Sequence, residues 1–350
     1  MGASVTRTYL DHAAATPMLP AARAAMAAAW DRWANPSSPH AEGRAAKRAL
    51  EEARERIRAA LDWPHALLFT SGASEGAVLA ATRARIAGRL RSRVEHDAIG
   101  RAMPEAATLP VDGHGRIDLA AISGPALVAI QTVNSETGVI QPGAEVAQAC
   151  ARAGSLWLAD CSQSAGRLPL PPADLLILSA HKLGGPPGVG ALLVRDLALL
   201  HPSGGQEQGY RAGTENLPAA LGFAAALEAR PSREPLPALR ARLDHAIRES
   251  GGEIVADGAP RLPEIASYRL PGLAAATQLI EFDLAGIAVS AGSACSSGTL
   301  RGSATLDAMG WSGPASREVI RVSFSPSTMA AEVDRFLEIW SRLARRARAA

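Results

Sequence analysis

The chain has 350 residues, 47% of them hydrophobic and 20% charged, enough to bury a sizeable core and to divide into two domains. A formal net charge of +2, with no basic block apart from compensating acids, gives no electrostatic support for nucleic-acid or membrane-surface binding, and 4% aromatic content argues against base-stacking platforms. Three widely separated cysteines, Cys150, Cys161 and Cys295, fit neither a disulfide framework nor a zinc cluster, so no metal site is expected and a reducing cytoplasm is the natural compartment. The N-terminus lacks the apolar core of a signal peptide, and no apolar run is long enough to span a bilayer.

In chain order, "AEGRAAKRALEEARERIRAAL" (41–61) sets Leu50, Ile57 and Leu61 on one stripe, with Glu52 four residues before Arg56, and predicts a surface helix. A short strand is predicted at 66–69, followed by the small-residue turn of "TSGASEG" and an apolar helix. Further strands are predicted at 126–133, 155–160, 174–179 and 190–194, with a helix over "GAEVAQACARAG" between the first two. Near-continuous apolar strands alternating with helices point to a mainly parallel α/β sheet covered on both faces. The texture changes at "ARPSREPLP". Beyond it a helix at 237–250, short strands such as "PEIASYRL" and a terminal helix predict a smaller α+β domain.

Charged residues stand where the central strands end. "DLLILSAHKLGGPPGVG" leads from a buried strand through Ser179 and His181 to Lys182, which is either a solvent-facing loop lysine or a desolvated amine able to condense with an aldehyde. "SLWLAD" ends in Asp160. Both residues should emerge at the carboxyl edge of the sheet, where open α/β folds bind ligands. A pyridoxal phosphate site needs such a lysine, a carboxylate for the ring nitrogen and a phosphate cup, and "TSGASEG" at a helix N-terminus supplies free N–H groups for the last. His96 in "VEHDAIG" is a candidate to stack on the ring, although a lone histidine is more often structural. Cys295 lies in "SAGSACSSG", small flexible neighbours that suit either an ordinary loop or a thiol that must move and be reached.

In order, "YLDHAAATP", "NPSSPHAEGR", "LLFTSGASEG", "EHDAI", "VNSETGVIQP", "LADCSQSAGRLPL", "LSAHKLGGPPGVGALLV", "GGQEQGYRAGTEN", "VSAGSACSSG" and "VIRVSFS" span nearly the whole chain. With these motifs the chain resembles the cysteine desulfurases of the NifS/IscS type, class V of the fold-type I pyridoxal-phosphate enzymes.

The resemblance implies a large domain over 16–232 with a mainly parallel seven-stranded sheet, and a small α+β domain formed by 1–15 and 233–350 that carries the cysteine loop. It implies that Lys182 holds pyridoxal 5'-phosphate and takes the substrate Cα proton. Asp160 would pair with the ring nitrogen and Gln163 with the ring hydroxyl, while His96 stacks. Ala73, Ser74, Ser179 and His181 would hold the phosphate, and Thr214 would reach the phosphate of a partner subunit in a homodimer. Arg321 would clamp the substrate carboxylate, with Asn35 and Asn134 assisting, and Cys295 would take the sulfur of L-cysteine as a persulfide, leave L-alanine and pass the sulfur to an acceptor protein for iron–sulfur clusters or thiolated products. An aminotransferase or a selenocysteine lyase is the alternative on the same fold. Ser135 stands where the family usually has a second Asn, Gln206 where a small residue is common, and the C-terminus lacks the longer tail with which housekeeping members dock a scaffold.

Overall fold

The computed structural model describes residues 7–292 and 302–349. The chain begins with β1 (Thr8–Tyr9), α1 (Pro20–Ala29), α2 (Ala41–Ala60), β2 (Ala66–Thr70), α3 (Ala73–Arg83), β3 (Gly88–Ser92), α4 (Asp97–Ala102) and β4 (Ala107–Leu109). It continues with β5 (Ala126–Ala129), α5 (Gly143–Arg152), β6 (Leu156–Asp160), β7 (Leu175–Ser179), β8 (Gly190–Val194), α6 (Leu217–Glu228) and α7 (Leu236–Glu249). The last elements are β9 (Glu253–Ile254), β10 (Ile265–Arg269), α8 (Ala275–Leu284), β11 (Ile287–Ala288), α9 (Ala304–Ala308), β12 (Val319–Ser323) and α10 (Ala330–Ala349).

The main sheet has seven strands in the order β2-β8-β7-β6-β5-β3-β4. Its pairings are parallel except those of β8, which runs antiparallel to both β2 and β7. Successive side chains leave a strand on opposite faces, so each apolar run feeds two cores at once. In β7, Leu176 and Leu178 join one core while Leu175 and Ile177 join the other; in β8, Ala191 and Leu193 part company with Leu192 and Val194 in the same way.

Helix α2 forms as its pattern predicts. His40 caps it by accepting from the Gly43 N–H, and Ala46, Ala49, Leu50, Ala53 and Ile57 are buried at three- and four-residue spacing. Helix α6 is apolar on every side and lies within the same core as α2. Gly222 lets it approach α1 closely, because a Cβ there would meet Met26 Cγ at 2.7 Å.

The strand predicted at 126–133 stops at Ala129. Beyond it the Ile130 and Thr132 N–H groups still donate to the Leu158 and Asp160 carbonyls (3.1 and 3.0 Å), and the chain turns only at Asn134, whose Oδ1 accepts from the N–H groups of Glu136 (2.9 Å) and Thr137 (2.8 Å). A second assembly is built from an antiparallel sheet, β12-β10-β9, and a core in which Leu10 packs with apolar residues from Leu236 to Ala344. The short parallel pair β1–β11 ties the N-terminus to this part of the chain.

Candidate active site

Strands β6 and β7 pair with Asp160 opposite Ile177, so Asp160 and the turn beginning at Ser179 leave the sheet at one edge. A cavity of about 200 Å³ opens there, walled by Ala73, Ser74, His96, Asp160, Ser179, His181, Lys182 and Arg321 together with Ala13, Ala14, Ser135 and Ser162. Eight residues assigned to one site from the sequence thus converge.

The lysine turn is fixed through its backbone. The Lys182 carbonyl accepts from Arg167 Nη2 (2.8 Å) and Thr16 Oγ1 (3.2 Å), and the Thr16 N–H donates to the His181 carbonyl at 2.9 Å. Of the chain's two lysines, Lys47 is exposed on α2, so Lys182 alone supplies an amine to the cavity. Asp160 Oδ1 accepts from the Ser162 N–H at 2.8 Å, which orients the carboxylate.

His96 caps α4, its Nδ1 accepting from the Ala98 N–H at 3.1 Å. Burial lowers its pKa, the Lys182 charge lowers it further and Asp160 partly opposes both; the imidazole is therefore held neutral with its proton on Nε2. His181 is lowered by the same two influences, burial and then Lys182.

The N-terminus of the 11-residue helix α3 faces the same space. Ser179 Oγ accepts from the Ala73 N–H at 2.9 Å, while the N–H groups of the next residues lack intrahelical partners, as in any first turn. Close backbone contacts hold this turn in place. A Cβ on Gly190 of β8 would lie 2.3 Å from the Leu178 carbonyl oxygen and 2.7 Å from Gly72 Cα, and one on Gly76 would lie 2.9 Å from Ile177 Cγ2.

Arg321 is 2% exposed. Its Nη2 meets Asp11 Oδ1 at 2.7 Å and its Nη1 donates to the Ser135 carbonyl at 3.0 Å, while its Nε is buried with no partner. An orphaned donor on a fixed guanidinium is a place for an incoming carboxylate.

Among the described residues, the others named from the sequence do not line this cavity. Gln163 is buried, with Nε2 donating to the Ala13 carbonyl (2.8 Å) and Oε1 accepting from Arg167 (3.2 Å). Asn134 spends its side chain on the turn described above and on the Val94 carbonyl. Asn35 and Thr214 are exposed and do not line the cavity, and Ser37 Oγ meets Gln206 Oε1 at 2.8 Å, so their two segments adjoin on the surface.

Cys295 lies outside the described residues, but the chain on either side is anchored at the site wall. Ser290 exchanges backbone hydrogen bonds with Arg321, and Ser303 Oγ donates to Glu136 Oε2 at 2.6 Å. Cys150 and Cys161 are buried, and burial first of all pushes both thiols up to about 12. Neither can serve as a thiolate near neutral pH.

Two contributors carried no sequence signal strong enough to find them. Ser162 orients Asp160 and leaves its own Oγ buried without a partner beside the cavity. Glu95, half-buried next to His96, is raised well above the usual carboxylate range by burial and so adds little negative charge behind Asp160.

A lysine, a carboxylate, a neutral imidazole and a helix N-terminus at the carboxyl edge of a mainly parallel sheet define an enzyme of the fold-type I class. Comparison with known proteins agrees. The model of the class-V aminotransferase family matches residues 8–336. A cysteine desulfurase of Cereibacter sphaeroides is 37% identical over 95% of this chain and 94% of its own length, and an IscS-like cysteine desulfurase of Mycobacterium tuberculosis is 34% identical over 98% and 97%. Among solved structures, a NifS-like protein of Rickettsia africae superposes with a TM-score of 0.86 at 28% identity, covering 97% of this chain and 99% of that one. A structure described as SspA in complex with cysteine gives a TM-score of 0.79 at 28% identity over 92% of this chain and all of that one. The chain belongs to the class-V aminotransferase family and, within it, to the cysteine desulfurases.

Proposed function

We propose that the chain takes sulfur from L-cysteine with pyridoxal 5'-phosphate held at Lys182, leaves L-alanine and carries the sulfur as a persulfide on Cys295. The observation that carries this reading is the convergence of Lys182, Asp160, His96 and the start of α3 on one cavity. The residues fit the cofactor: an amine for its aldehyde, a carboxylate for its ring nitrogen, a helix N-terminus and two serines for its phosphate, and unpartnered donors on Ser162 and Arg321. When bound, the cofactor supplies an electron sink that labilises bonds at the substrate's Cα and Cβ.

The protein's share is positioning and proton movement. Arg321, steadied by Asp11, offers Nε to the substrate carboxylate. The Lys182 amine removes the Cα proton and returns a proton to carbon, while neutral His96 covers the ring without adding charge. The Cys295 thiolate attacks the substrate sulfur, so that an S–S bond forms as the Cβ–S bond breaks. Cys295 follows Ser290 by five residues, so at most roughly 17 Å of chain separates it from the anchor on Arg321, which lines the cavity.

The same reading divides the chain into residues 16–232 and 1–15 with 233–350. It places Gln163 beside the ring hydroxyl, and Asn35 and Asn134 near the substrate. It makes the enzyme a cytoplasmic homodimer in which exposed Thr214 reaches the partner's phosphate, with a sulfur-acceptor protein downstream. Among the described residues no helix is long and apolar enough to cross a membrane.

The test is incubation with L-cysteine followed by intact mass. A one-sulfur adduct and released alanine are expected, and both should vanish in Cys295→Ala while the cofactor chromophore persists. Continued sulfur release from Cys295→Ala would reject the mechanism.

A further inference from the structure

Behind Lys182, away from the helix α3 cup, lies a second cavity of about 320 Å³. Lys182 lines both spaces. The walls of the second are mostly apolar, contributed by Met18, Leu19, Leu183 and Pro326, yet three arginines, Arg167, Arg230 and Arg233, converge on it.

Their charges are poorly balanced. Arg233 is paired with the fully buried Glu264, at 2.9 Å through Nη2. Arg167 donates only to the carbonyls of Gln163 and Lys182 and the Gln163 amide oxygen, and Arg230 only to the Ala60 carbonyl. Among the described residues neither has a carboxylate within ion-pair distance. Burial lowers the pKa of both; at Arg167 the Glu264 charge opposes it more than Arg233 adds to it, while at Arg230 the Arg233 charge lowers it further. Two cations lining one largely apolar cavity, neither with an ion-pair partner of its own, are costly unless an anion joins them.

Two further observations point into the same cavity. His12 lines it, is 6% exposed and has a buried Nδ1 with no partner. Gly166, at φ +68°, leaves room for the Arg230 guanidinium, since a Cβ there would fall 2.1 Å from Nη1. We propose that this cavity binds a small organic monocarboxylate, its carboxylate between Arg230 and Arg167 and its apolar body against Leu19, Leu183 and Pro326. Because Arg167 also donates to the Lys182 carbonyl, a bound acid reaches the lysine turn through one side chain.

The experiment is calorimetric titration of the full chain as purified with sodium hexanoate. Binding with a Kd on the order of 1 mM is expected, with none for hexanol. Arg230→Met, which keeps the stem and removes the charge, should weaken binding by about tenfold or more. Exposed Ser327 lies at the cavity, and Ser327→Asp should also weaken it by placing a fixed carboxylate there, a variant that tests the site even where Arg230→Met folds poorly. Absence of hexanoate binding, equal affinity in folded variants, or equally tight binding of sodium sulfate at matched ionic strength would overturn the assignment.

Discussion

A buried ion pair ties down the loop that carries Gln206 and leads to Thr214, beside the part-buried pair of Arg211 with Glu75. Arg54 is 5% exposed and Glu207 is 3% exposed. Arg54 Nη1 meets Glu207 Oε2 at 2.7 Å and Nη2 meets Oε1 at 3.1 Å, while the same carboxylate accepts from the Phe69 N–H at 2.8 Å. Burial alone would lower the Arg54 pKa, but Glu207 and then Glu51 together outweigh it and the net shift is upward. The loop needs this anchor because Glu207 and Gln208 are successive non-glycine residues in the left-handed region, at φ 50° and 57°, a conformation costing about 1–2 kcal/mol for each. Arg54→Met would leave a carboxylate buried with a single amide partner, a loss of about 3–5 kcal/mol when the partner stays buried. Unlatching of the loop would hydrate Glu207 and relax the two left-handed residues, so the lower end, about 3 kcal/mol, is expected. Glu207→Gln keeps the shape and an acceptor for Phe69, and Arg54 retains Glu51 and the Leu67 carbonyl, so about 1–3 kcal/mol is expected. Urea unfolding measures both at unchanged slope, together with the double variant Arg54→Met/Glu207→Gln, which should be more stable than the summed losses by about 2 kcal/mol because no charge is then left buried alone. Single variants within about 0.5 kcal/mol of the parent, or a strictly additive double variant, would refute the reasoning.

Two other variants probe different parts of the account. Gly190→Ala forces a Cβ against the Leu178 carbonyl and Gly72, so it should cost about 1–3 kcal/mol and weaken cofactor retention on dialysis, read from the visible absorbance. Burial, then the Arg167 charge, lowers the His12 pKa from 6.5 to about 4. Its folded value is depressed, so its contribution is fully present above pH 6.5 and is lost as the pH falls toward 4. The parent should therefore lose up to about 3 kcal/mol more than His12→Asn across that window, measured by urea unfolding at each pH, and parallel losses would contradict it.

The central strands were legible because burial on both faces demands continuous apolar runs, and Lys182 and Asp160 were legible because a charge ending such a run is conspicuous. The end of β5 was not, since the apolar run goes on into Ile130 and the N–H groups of Ile130 and Thr132 still donate to β6, so no residue marks where the regular strand stops. Helix α6 was missed for the opposite reason: "LPAALGFAAALE" is buried all round and has no polar face to reveal its period. Pairs such as Arg54–Glu207, 153 residues apart, and the cluster of Arg167, Arg230 and Arg233 exist only once the chain has folded. Asn134 shows a further limit, because a motif position is read equally well whether its side chain faces the site or, as here, builds the turn beside it.

Desulfuration at this site requires the Lys182 amine to meet the aldehyde of vitamin B6, and peptide mapping after borohydride treatment of the purified yellow protein asks this directly. The reduced cofactor should be found on the peptide containing Lys182 and not on that containing Lys47, the only other lysine. An unmodified Lys182 in protein that has retained its chromophore would contradict the account.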